Sequence, residues 1–117
     1  MPEMAETPQH RPAAPRVALV APGEIFGGAE RQILTLLRAM RRRALSPALL
    51  TFHDAELARR ARDDDFPVTV LGARSLLDTG SLRILRHTLR ALRVDILHIH
   101  GYRSAVYCAL AVRPGEL

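Results

Sequence analysis

The chain has 117 residues, 48% of them apolar, which suffices for the core of one domain or of part of a larger one. Its formal charge of +5 raises nucleic acid as a partner, but all 17 basic residues are arginine and five Phe and Tyr side chains leave little for base stacking. A transmembrane span is excluded because the longest apolar run, Ala105 to Val112, is far short of the roughly 20 residues a bilayer requires.

The first fifteen residues carry four prolines and almost no large apolar side chain, and read as a disordered tail. They lack the charged start and apolar run of a secretory signal, and the lone Cys108 excludes an internal disulfide. Both features point to the cytoplasm. From residue 16 the pattern alternates. Arg16–Pro22 is short, apolar and closed by Pro-Gly, which predicts a buried strand. A helix is expected from Ala29 to Arg43, with Ile33, Leu36, Leu37, Met40 and Ala44 as its apolar stripe and Arg41, Arg42 and Arg43 complementing the dipole of its last turn.

A second strand is expected over Pro47–His53, then a short polar helix over residues 55–64, and a third strand over Pro67–Ala73. Residues 74–81 read as a loop in which Thr79 or Ser81 would cap the next helix. That helix, Leu82 to Arg93, has a leucine stripe (Leu82, Leu85, Leu89, Leu92) and an arginine stripe (Arg83, Arg86, Arg90, Arg93) that reads as a wet face. A fourth strand follows over Val94–Gly101, then a nearly all-apolar helix over Ser104–Val112, expected to be well buried, with Cys108 as a small core residue.

Four alternations of strand and helix predict an α/β fold: a Rossmann-like parallel sheet in the order 3-2-1-4, with helices on both faces. Ligands in such sheets bind at the carboxyl ends of the strands where the winding reverses. Two segments would converge there. One is the loop after strand 1, where Gly23, Gly27 and Gly28 fall within six residues. The other is "HIHGYR", after strand 4.

Gly27 and Gly28 lead into a helix N-terminus, whose free N–H groups and dipole favour an anion such as phosphate. Glu30 in the first turn suits the same dipole, and is also a candidate ligand contact. The loop matches neither a Walker A sequence, which needs lysine, nor the G-x-G-x-x-G dinucleotide fingerprint. A purely structural strand-to-helix turn is equally compatible with it. His98 and His100 share one strand face. His100, at the strand's end, can protrude into the crevice, and His98 reads as a packed, hydrogen-bonded core histidine. No third ligand stands at metal-site spacing, so no metal is expected. Asp95 is expected to act locally, as a cap or an arginine partner. His10, His53 and His87 carry no assigned role.

The segments "GGAER" and "VDILHIHG", the latter with Asp-x-x-His-x-His, in this order within an alternating α/β pattern, make the chain similar to the N-terminal domain of the family 4 glycosyltransferases over about Arg16 to Val112. These are retaining enzymes of the GT-B fold. The resemblance implies transfer of a sugar from a nucleotide-sugar donor to an acceptor hydroxyl, with no cofactor and no bound metal. Two Rossmann-like lobes would face each other, the N-terminal one holding the acceptor. Gly27 and Gly28 would lie against the donor's phosphates, and His100 would line the reaction centre as the catalytic-site histidine. The family's second lobe, with its paired glutamates and diphosphate-binding basic residues, has no counterpart in these 117 residues. The expectation is therefore a truncated product, a fragment, or half of a split enzyme completed by a second donor-binding domain or chain and inactive alone, with strand 4 as an unpaired edge. The rival expectation is a non-enzymatic, flavodoxin-like module that binds a small anion or pairs its sheet edge with another chain.

Overall fold

The computed structural model describes residues 14–72, 78–113 and 115. Four strands and four helices alternate: β1 (Arg16–Ala21), α1 (Gly28–Arg42), β2 (Ser46–Thr51), α2 (Glu56–Asp63), β3 (Val68–Val70), α3 (Thr79–Ala91), β4 (Ile96–Ile99) and α4 (Tyr102–Ala111). The strands form one parallel sheet in the order β3-β2-β1-β4, as the alternation predicts. β1 is central, with Val17 opposite Pro47 on one side and Ile96 on the other.

The helices divide between the two faces because the inner strands β1 and β2 are buried on both. Val17, Leu19 and Ala21 of β1 point into a core with Ile33, Leu34 and Leu37 of α1 and Leu57 and Ala61 of α2. Ala18 and Val20, one step out of phase, point into a second core with Leu85 and Leu89 of α3 and Tyr107, Cys108 and Ala111 of α4. The chain crosses from one face to the other between β3 and β4, so the winding reverses between β1 and β4.

Several details differ from the sequence-based expectation. In α1 the buried positions are Ile33, Leu34 and Leu37, whereas Ala44 lies beyond the helix end, exposed, with φ +63°. The cap of α3 is Asp78, whose carboxylate accepts the Ser81 N–H at 3.2 Å. Thr79 is already helical, and the Ser81 hydroxyl instead donates to the Leu71 carbonyl at 2.9 Å, deep in the core. In the arginine stripe, Arg86 is not simply solvated: its Nη1 donates to the Ala111 carbonyl at 2.7 Å and ties α3 to the end of α4. The α4 helix is buried on one side only. Ser104, Tyr107, Cys108 and Ala111 face inwards, while Leu110 is 55% exposed. The cause is position: α4 packs against the edge strand and α3, and an apolar sequence all round cannot show which side that will be. Among the described residues no strand pairs with the outer side of β4, where Ile96 and Ile99 are 48% and 41% exposed. The expectations for the tail up to residue 13 and for the loop residues 73–77 lie outside the described residues.

Candidate functional site

At the carboxyl end of the sheet the chain leaves β1 through Pro22 and Gly23. The Pro22 carbonyl accepts the N–H groups of Phe52 and His53, both at 3.2 Å, which fixes the exit of β1 against that of β2. Gly23 has φ +67°, and a Cβ there would lie 3.1 Å from Thr51 Cγ2. Of the three clustered glycines, this one is required by the backbone. Phe26 then anchors the loop, with the guanidinium of Arg60 4.2 Å and that of Arg31 5.2 Å from its ring centre. Glu24 approaches His53, with Oε1 3.7 Å from Nε2.

Gly27 is the N-cap of α1 and has an extended backbone (φ −133°, ψ −154°); Gly28 is the first helical residue. Neither glycine is required by its surroundings. Among the described residues a Cβ on Gly27 would meet only Glu30 Oε1, at 3.6 Å, and one on Gly28 would meet nothing within 4 Å. Glu30 reaches back to accept the Gly27 N–H at 2.9 Å, the carboxylate half of a capping box. The next three N–H groups, of Gly28, Ala29 and Glu30, have no acceptor within the helix and point out of its end. The mouth of α1 thus offers free backbone donors under an open surface, with one carboxylate already committed to the cap.

β4 delivers the second segment. The His100 N–H donates to the Val20 carbonyl at 2.8 Å, which places His100 beside the exit of β1. Gly101, with φ +88° and ψ 158°, turns the chain into α4, and a Cβ there would lie 3.1 Å from Pro22 Cγ. The two loops therefore touch. His98 and His100 lie on one face of β4 with ring centres 4.5 Å apart and planes inclined by 34°. Together with Arg31, Gln32, Thr35 and Leu36 of α1 they line an open hollow of about 490 Å³. His100 Nε2 is buried without a hydrogen-bond partner among the described residues. Burial holds the His100 imidazole below the ordinary histidine range; the neighbouring His98 pushes in the same direction, and Glu30 opposes both. At neutral pH the ring is accordingly uncharged, able to donate from one nitrogen and accept at the other.

His98 is not the hydrogen-bonded core histidine that its place in the strand suggests. It is exposed, because β4 is an edge strand whose α1-side face no helix covers fully. Asp95 does act locally: its carboxylate accepts the Arg16 N–H at 2.9 Å, and its own N–H donates to the Arg16 carbonyl at 2.8 Å, locking the start of β4 to that of β1. Arg31 and Gln32, which face the histidines across the hollow, carry no sequence signal that separates them from other polar residues of an amphipathic helix. Among the described residues no group of three or more His, Cys, Asp and Glu side chains is placed to hold a metal ion. A smaller hollow of about 220 Å³ lies between α3 and α4, lined by Arg86, Arg90, Arg93 and Val112. It includes Val94, two residues before β4, and so lies at the other end of the sheet from the glycine loop.

A parallel sheet wound in both directions, with two loops meeting at the reversal, defines a Rossmann-like α/β domain. The sequence pattern of Glycosyltransferase Family 4 matches residues 26–116, and the chain belongs to that family. The crystal structure of Acinetobacter baumannii MurG shares the fold, with a TM-score of 0.65 at 15% sequence identity. The similarity covers 82% of this chain and 32% of MurG, so the chain spans about a third of the length of that protein. No curated protein sequence matches the chain.

Proposed function

We propose that the chain is the acceptor-side lobe of a retaining glycosyltransferase that moves a sugar from a nucleotide-sugar to an acceptor hydroxyl. Membership of Glycosyltransferase Family 4 supports the transferase class. The observation that carries the assignment of roles is the contact of Gly101 with Pro22, which sets the neutral His100 beside the N-terminal end of α1. In this reading the donor's phosphates approach Gly27 and Gly28. There the absence of side chains leaves room, and the first-turn N–H groups and the helix dipole stabilise the negative charge that grows on the departing diphosphate. Glu30 acts mainly by holding the cap: its carboxylate takes the Gly27 N–H, and a bare carboxylate facing phosphate would oppose binding. His100 lines the reaction centre and offers a hydrogen bond to the transferred sugar or to the attacking hydroxyl.

The diphosphate and nucleoside need partners that one lobe does not contain, so the 117 residues by themselves are inactive and a second, donor-binding lobe or chain completes the enzyme. The reaction belongs to the cytoplasm, where nucleotide-sugars are held; in keeping with this, no described helix is long and apolar enough to cross a membrane. The test is to read the frame past codon 117 and assay the whole gene product against labelled nucleotide-sugars, beside the 117-residue chain. Transfer by the whole product, abolished by His100→Ala, and none by the chain alone is expected. Turnover by the isolated chain refutes the division of labour. A gene product that binds a small anion but transfers no sugar favours a flavodoxin-like binding module.

A further inference from the structure

His98 has no role in holding the fold. It belongs to neither core cluster, it is exposed on the edge strand, and among the described residues its ring makes no hydrogen bond or ion pair. An exposed position on an edge strand accepts most polar residues, so the fold alone gives no reason for an imidazole there. What the ring does touch is His100, one pleat further along the same face at 4.5 Å between centres. Both rings face the hollow under α1.

His100 needs such a neighbour. Its backbone is fixed by the bond to Val20, but a terminal imidazole rotates broadly about χ2 unless something defines its two faces. Its Nε2 is buried with no partner among the described residues, so no hydrogen bond at that nitrogen fixes the orientation of the ring there. The groups around it are few. Glu30 and Arg31 come from the first turns of α1, His98 from β4, and β1 presents the apolar Val20 and the carbonyl already used.

We propose that His98 is a positioning residue for His100: its ring backs the His100 imidazole from one pleat down the strand and, with Glu30 on the α1 side, holds it in one orientation at the mouth of the crevice. The proposal rests on the reading of His100 as the reaction-centre group. It adds that this group is set by a ring stacked behind it rather than by a hydrogen bond. It also gives the second imidazole of the pair an electrostatic part: burial is the main cause that keeps His100 neutral, and a like charge at this distance pushes in the same direction.

The test is NMR of the full 117-residue chain labelled at the histidine rings, reading the order parameter of the His100 ring and its titration in the original chain and in His98→Ala, His98→Phe and Glu30→Gln. The His100 ring of the original chain is expected to be as ordered as its backbone. His98→Phe keeps the neighbouring ring and drops the charge, so the order persists and the His100 midpoint moves up. His98→Ala removes both, so the ring loosens and the midpoint again moves up. Glu30→Gln removes the opposing carboxylate, and the midpoint moves down. A His100 ring equally ordered in the original chain and in His98→Ala overturns the proposal. Should His98→Ala unfold, His98→Thr, which suits an edge strand, replaces it under the same criterion. The spectra are recorded without sugar or nucleotide, so a negative result removes the positioning role only, whereas the functional reading stands or falls on transfer by the whole gene product.

Discussion

Gly28→Ala separates what the fold needs from what the crevice needs. Gly28 is the first residue of α1, has helical geometry, and faces at least 4 Å of open space where its Cβ would stand. Alanine there gains helix propensity and loses unfolded-state freedom, together about 0.5 kcal/mol at a first-turn position. For a domain of this size, 1 kcal/mol moves Tm by roughly 4–8 °C, so a rise of about 2–4 °C is expected in thermal melts followed by circular dichroism. Gly101→Ala is the contrast. Its φ of +88° with ψ 158° falls in a region open essentially to glycine alone, and its Cβ would lie 3.1 Å from Pro22 Cγ. Strain of about 1–3 kcal/mol plus a crowded contact lowers Tm by roughly 8 °C or more. In the whole gene product, Gly28→Ala should nonetheless cut sugar transfer about tenfold or more, because a methyl group displaces a phosphate from its bonding distance. A fall in Tm for Gly28→Ala would refute the claim that none of the described residues occupies that space. A rise in Tm with undiminished transfer would refute the claim that a phosphate does.

Asp78→Ala removes the cap of α3 and should cost about 0.5–2 kcal/mol in chemical denaturation, with Asp78→Ser recovering most of it; equal loss in both variants would show that the bond to Ser81 is not the stabilising element. Burial pushes the Cys108 thiol up to about 11, so at pH 8 its reaction with a disulfide reagent should be at least roughly 100-fold slower in the folded chain than in denaturant; rapid labelling of the folded chain would contradict that burial. His100 titrates lower in the folded than in the unfolded chain, so the folded state binds fewer protons and stability should decline as the pH drops below 6.5, a slope that His100→Asn abolishes. Glu56 behaves oppositely in origin but alike in direction. Its bonds to Arg59 and Arg60 lower it from 4.5 to about 2, and the stability they bring is lost between those values. Glu56→Gln should remove that second slope from urea midpoints measured against pH.

The sheet was legible because β1 and β2 are buried on both faces and so appear as unbroken apolar runs closed by turn residues. Strand order then followed from the right-handedness of parallel crossovers, and with it the meeting of the two loops. What failed had local causes. Three cap-forming residues stand within four positions at the start of α3, and only the geometry selects Asp78 over Thr79 and Ser81. The exposed side of α4 and the exposure of His98 follow from β4 being an edge, which no periodicity within either segment records. The return of Glu30 to the Gly27 N–H is an i to i−3 contact that the spacing permitted but did not require, since a first-turn glutamate also serves the dipole. Arg31 and Gln32 reach the hollow because it lies between α1 and the end of β4, elements more than 50 residues apart in the chain.

The placement of β1 at the centre also sets how the chain assembles. β1 and β2 pair across a single helix, but the partner of Val17 on the other side is Ile96, 79 residues further along the chain. Closing so long a loop costs entropy before any contact rewards it, and slow assembly follows from such distant pairings. During synthesis the three-strand half can form while the ribosome is still delivering α3, leaving one flank of β1 bare until β4 arrives. The crevice thus forms late, completed only when β4 docks and brings His100 to Val20.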